Sequence, residues 1–256
     1  MIKKIFKFRS VRFCMLWIFA ALVCSVFTGC KDDFEGEAYI ADQAYDLEIP
    51  ADFPALAFDR DKNPVTVNGV ALGKKLFYEG RLSRNNSISC GFCHIQENAF
   101  THHGHPVSHG IDNRLGIRNA PPIQTMAFLS NYTWDGVSHD LDERSLVPIT
   151  TDFEMDSSMP EVVGKLNADA NYKKLFKAAF GDENITGERV LKAISQFMAT
   201  MVSADSKYDR VLKAKTAFTA EENEGYKLFR NNCASCHSGA LFTDESFRNT
   251  GMYYNA

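Results

Sequence analysis

Apolar side chains along this chain recur mostly three or four residues apart, the spacing that gathers them on one face of a helix. From Asn68 to Tyr78 the positions Val70, Ala71, Leu72, Leu76 and Phe77 predict a helix that stops at Gly80. Ser158 and Glu161 have the spacing of a capping box, with Pro160 inside the first turn, so a helix starts there. Asp169 to Phe180 predicts another, with Tyr172, Leu175, Phe176, Ala179 and Phe180 on one face and Gly181 as its stop. Between Thr186 and Met201 the set Val190, Leu191, Ile194, Phe197, Met198 and Met201 again falls at helical spacing, with its Met residues as core packing. Thr219 and Glu222 form a second capping box and begin a last helix. By contrast, Phe100 to Gly116 is irregular and rich in His and Gly, and it runs into Arg118-Asn119-Ala120-Pro121-Pro122; this is a loop wrapped over something large.

One pattern occurs twice. Gly73-Lys74-Lys75-Leu76-Phe77 precedes Cys90-Gly91-Phe92-Cys93-His94, and Gly225-Tyr226-Lys227-Leu228-Phe229 precedes Cys233-Ala234-Ser235-Cys236-His237. A Cys-x-x-Cys-His run is the attachment sequence for c-type haem: the thiols form thioethers with the vinyl groups, and the His gives an axial nitrogen to the iron. A redox dithiol or a four-thiolate zinc cage also uses Cys-x-x-Cys pairs, but neither needs a His directly after the second Cys. Two covalently bound haem c groups are therefore expected, held by Cys90, Cys93, His94 and by Cys233, Cys236, His237. The repeat predicts a mainly α fold of two cytochrome-c-like haem domains, residues 46–204 and 205–256, the second incomplete, with a seam near Ser203 to Ala217.

Composition and charge add the compartment. Lys3, Lys4, Lys7, Arg9 and Arg12 precede an uncharged run from Phe13 to Cys30, the form of an export signal. Its end, Val26-Phe27-Thr28-Gly29-Cys30, is similar to a lipoprotein cleavage site, so residues 1–30 read as signal and residues 31–45 as a tether; an uncleaved anchor helix is the alternative. The expected location is periplasmic or cell-surface, with a lipid on Cys30 holding the protein to a bacterial membrane. Setting aside the five basic residues of the signal leaves 23 basic against 32 acidic residues, a net of −9, which argues against a nucleic-acid partner. With Cys14 and Cys24 in the signal, Cys30 lipidated and four Cys on haem, no thiol is left for a disulfide.

Leu76-Phe77, Arg81-Leu82-Ser83, Ile88-Ser89-Cys90, Ala99-Phe100-Thr101, Arg118-Asn119-Ala120-Pro121, Trp134-Asp135-Gly136, Glu154-Met155 and the second Cys-x-x-Cys-His motif, in this order, resemble the bacterial di-haem cytochrome c peroxidases, a family that includes the methylamine-utilisation-type di-haem oxidases. The resemblance implies reduction of hydrogen peroxide to water, with electrons from a small donor cytochrome or copper protein relayed through the second haem. It makes the first haem the peroxidatic centre, Glu154 the distal acid–base residue, Trp134 the aromatic between the haems and His109 a sixth ligand of the first iron. It makes Asn119 a ligand of an interdomain calcium ion, and it allows a homodimer. His102, His103 and His105 are expected to be solvent-exposed loop residues. Family members continue past the second motif with a segment that supplies the second iron's sixth ligand, usually Met. This sequence ends at Ala256, and Met252 stands where the family has ordinary loop. The alternatives are a di-haem oxidase modifying a protein side chain and a di-haem electron carrier without peroxidase activity.

Overall fold

Thr66 opens the first helix, α1 (Val67–Phe77), by accepting a hydrogen bond from the Gly69 amide on its side-chain oxygen. In the computed structural model, which describes residues 43–249 and residue 251, α1 buries Leu72, Leu76 and Phe77 almost completely. The export signal, Cys30, most of the tether and Met252 lie outside the described residues.

The main partner of α1 is α7 (Gly187–Ala199), and α6 (Ala170–Phe180) packs beside it. Gly73 sets the α1–α7 approach: a Cβ there would lie 1.8 Å from the Ala193 carbonyl oxygen, so only glycine lets the two backbones come this close. Every expected helix is present. α5 (Met159–Asn167) begins at the Ser158–Glu161 capping box, α6 ends at Gly181 with φ +88°, and α9 (Ala220–Asn232) begins at the Thr219–Glu222 capping box. Among the described residues β structure is confined to the isolated bridges Ala44–Thr66, Ile95–Thr101 and His109–Leu115, so the fold is mainly helical as expected.

Four short helices were not legible in the apolar spacing. α2 (Cys90–Cys93) is the single turn that carries the first motif. α3 (Leu141–Arg144) and α4 (Leu146–Thr150) lead to Glu154, and α8 (Lys207–Leu212) occupies the expected seam with a Ser206–Asp209 capping box. A polar group fastens α3 to the core: Asn63 donates from Nδ2 to Asp142 at 2.7 Å and to Ser195 Oγ at 3.1 Å, and the Ser195 hydroxyl donates to Asp142. Asn63, Asp142 and Ser195 are all buried, so each must be paired to be tolerated there.

α9 has no buried residue. What packs near it is an aromatic group, Tyr208, Phe218, Tyr226, Phe229 and Phe242, with ring centroids 5.1–6.4 Å apart.

Candidate active site

The α2 turn presents Cys90 and Cys93, and the His94 amide donates to the Cys90 carbonyl at 2.9 Å. His94 Nδ1 is 2.9 Å from the Phe100 carbonyl, which can only accept, so Nδ1 carries the proton and the lone pair lies on Nε2. Burial holds His94 neutral, its pKa lowered to about 4. That is the tautomer and charge an axial iron ligand needs.

These side chains line a cavity of about 1110 Å³, open mouth included. Its apolar wall comes from Phe77, Ile88, Ile123, Tyr132, Met155 and Met198, contributed by α1, α7 and several loops. A large, mostly apolar chamber with two thiols and one imidazole on its wall fits a haem c group. Burial pushes the Cys90 thiol up to about 12 and the Cys93 thiol up to about 11, the opposite of what a reactive dithiol requires. Among the described residues no group of three or more His, Cys, Asp or Glu side chains is placed to hold a metal ion.

The second motif repeats the local geometry. The Cys236 amide donates to the Cys233 carbonyl at 3.1 Å, the His237 amide to the same carbonyl at 3.0 Å, and His237 Nδ1 lies 3.1 Å from the Phe242 carbonyl. Its donor set fits haem c equally well, but Cys233 and His237 are exposed.

Glu154 is in the wall of the first cavity. Burial raises its pKa, while the Arg144 guanidinium and the Ser108 hydroxyl beside it pull the other way. Gly110 brings the His-rich loop onto this segment: a Cβ on it would lie 2.1 Å from the Phe153 carbonyl oxygen, and the neighbouring Ile111 amide donates to the Glu154 carbonyl at 2.7 Å. Asn119 and Trp134 also line the cavity. The Asn119 amide nitrogen donates to the His105 carbonyl, and the Asn119 carbonyl accepts from Trp134 Nε1 at 2.8 Å. The Trp134 side chain is not enclosed; the residue is 53 % exposed. Next to it the Phe247 ring, ten residues beyond His237, lies where a Cβ on Gly136 would be, and the Ser130 amide donates to Glu245 at 2.7 Å. The segment after the second motif therefore folds back on the Trp134 loop.

Of the loop histidines expected to be solvent-exposed, His102 and His105 depart from that expectation. His103 is exposed, but His102 is buried and His105 half-buried, because the Ile95–Thr101 and His109–Leu115 bridges fold the loop back on itself. The His102 ring packs against those of Phe92, His105 and His109. His109 Nε2 lies 3.1 Å from His105 Nδ1, and His109 is not part of the cavity wall. Sequence reasoning passed over Arg144 and Ser108, both in the wall; nothing in the charge-rich run Asp140-Leu141-Asp142-Glu143-Arg144 marks Arg144 from its neighbours.

The family model described as di-haem cytochrome c peroxidase matches residues 67–217. The chain is 38 % identical over 200 residues to the methylamine utilization protein MauG of Methylorubrum extorquens, covering 74 % of this chain and 55 % of that one. It is 34 % identical to the cytochrome c peroxidase Ccp of Escherichia coli K12, covering 75 % and 41 %. The chain thus spans about half the length of the curated relatives it matches. Among solved structures, a MauG-like protein associated with microbial copper homeostasis superposes with a TM-score of 0.72 at 32 % identity, covering 80 % of this chain and 63 % of the other. The di-haem peroxidase BthA of Burkholderia thailandensis shares the fold, with a TM-score of 0.63 over 70 % and 53 %.

Proposed function

We propose a function that proceeds from one fact: the chain belongs to the di-haem cytochrome c peroxidase family. The reaction is two-electron reduction of hydrogen peroxide, with two protons, to two molecules of water at the centre held by Cys90, Cys93 and His94. Electrons arrive from a small cytochrome or copper protein through the centre at Cys233, Cys236 and His237. Haem c, when bound, supplies the redox-active iron and the capacity to store electrons.

The observation that carries this reading is a buried carboxyl, Glu154, in the same chamber as Cys90, Cys93 and His94. A carboxyl with a raised pKa can accept a proton from one peroxide oxygen and return it to the other as the O–O bond breaks. Ser108 orients that carboxyl, and the apolar wall keeps bulk water from competing for the proton. Trp134, joined to Asn119 and lying beside the segment that follows the second motif, is the aromatic through which an electron passes from the second centre to the first. Glu154→Gln is expected to lower peroxide-dependent donor oxidation by about 10²–10⁴-fold with both haems attached. Turnover unchanged by that substitution would remove Glu154 from the chemistry.

A second reading, oxidation of a protein side chain, is favoured by the exposure of Trp134 at the cavity and by the similarity to MauG. Peroxide added to the reduced holoprotein with a reduced donor separates the readings. Rapid donor oxidation supports the peroxidase, a long-lived oxidised species without donor turnover supports the oxidase, and no response leaves an electron carrier.

Export and lipidation at Cys30 place the site in the periplasm or at the cell surface on this reading. Cys30→Ser is then expected to release the protein from the membrane fraction. Among the described residues no helix is long and apolar enough to cross a membrane.

A further inference from the structure

Arg144 ends α3 in the wall of the first cavity, and neither haem attachment nor proton transfer by Glu154 employs it. Its side chain is held from behind: Nε donates to the Tyr132 carbonyl at 3.1 Å, and α3 is fastened to the core through the buried Asp142. The two Nη groups donate to nothing among the described residues, and no carboxylate there comes within the 4.0 Å of an ion pair. The opposite charge that acts on it most is Glu154, which lines the same cavity, and burial favours the neutral form of that carboxyl. A guanidinium cannot shed its proton, so in a mostly apolar chamber it stays charged with up to four donors unspent. Such a group is costly unless an anion completes it.

We propose that Arg144 is the anion-recognising residue of this cavity, taking a small monovalent anion such as hydroperoxide between its guanidinium and the Glu154 carboxyl. Both groups line the same cavity, and the Tyr132 contact fixes Nε while leaving the two Nη groups to an occupant. Arg144 then holds the oxidant's negative charge while Glu154 handles its proton. The inference rests on the peroxidase reading above and deepens it.

Fluoride is the anionic probe and carbon monoxide the neutral one, each titrated into the full-length holoprotein and followed at the Soret band, fluoride in the ferric and carbon monoxide in the ferrous state. Arg144→Leu is expected to weaken fluoride binding by about tenfold or more while carbon monoxide affinity stays within about twofold. Arg144→Lys, which keeps the charge, is expected to hold fluoride affinity within about threefold of the parent. Arg144→Gln serves if the Leu variant loads haem poorly, with the same expected loss. Fluoride affinity unchanged without the charge, or fluoride and carbon monoxide weakened alike, would overturn the assignment; the second pattern would make Arg144 a partner of the haem propionates instead. A parent protein that turns over peroxide while its variants lack the fluoride contrast sinks only the role of Arg144. A parent protein without haem or without peroxide turnover sinks the peroxidase reading as well.

Discussion

Leu76 and Leu228 hold equivalent places before the two Cys-x-x-Cys-His motifs, yet the first is fully buried and the second is 64 % exposed. Gly73 and Gly225 match in the same way: the first lies against the Ala193 carbonyl, and the second would have nothing within 4 Å of an added Cβ. The histidine geometry nonetheless agrees, with Nδ1 to carbonyl distances of 2.9 Å at His94 and 3.1 Å at His237. The short-range code thus fixes how the thiols and imidazole are presented, and tertiary cover decides what each centre can do. Walls drawn from α1, α7 and the loops around Arg118, Trp134 and Glu154 make the first a mostly apolar chamber lined by a carboxyl and a guanidinium, the groups to which the proposed chemistry is assigned. The second is held by its own aromatic group and stands open, which the proposed entry of electrons there requires.

The strongest test of this contrast is truncation of the paired leucines. Leu76→Ala is expected to cost about 2–5 kcal/mol in denaturant unfolding, whereas Leu228→Ala should stay within about 0.5 kcal/mol. Equal losses would break the comparison. Next in size come the glycines. Gly73→Ala forces a methyl into the α1–α7 contact and is expected to cost about 1–3 kcal/mol, whereas Gly225→Ala, in the middle of exposed α9, should add about 0.5–1 kcal/mol. A stabilised Gly73→Ala would mean that the two helices are not in close contact.

The segment before the first motif also carries a half-buried ionic network that can be titrated. Burial pulls Glu79 upward, but hydrogen bonds from Arg81 and Tyr172 outweigh it and leave its pKa lowered to about 2. Because this folded value lies below the ordinary carboxylate range, the stabilisation is present above about pH 4.5 and is lost as pH falls towards 2. Glu79→Gln is expected to cost on the order of 1–3 kcal/mol at pH 7 and to flatten the acid limb of the stability curve between about pH 5 and 2. An unchanged acid limb would show that the network is not formed.

Much of this was readable from local chemistry. Ser158 with Glu161, Thr219 with Glu222 and the glycine at 181 mark helix ends through backbone groups that only nearby residues can satisfy. Both Cys-x-x-Cys-His motifs are as legible, whereas Glu154 is singled out only by the family resemblance; Cys90, Cys93, His94 and Glu154 line one chamber. α3 and α4 escaped notice because four or five residues show no period, and Pro148 reads as a breaker. α8 escaped because its capping box closes with Asp209 rather than Glu or Gln. The burial of His102 and the place of Arg144 depend on segments that meet only in three dimensions, through the bridges at residues 95–101 and 109–115 and through the Asp142 anchor.

The whole account depends on covalent haem at both motifs, and the intact mass of the protein matured in an exporting bacterium tests that directly. A mass equal to the processed chain plus two haems is predicted. A mass equal to the polypeptide and its lipid alone would contradict it.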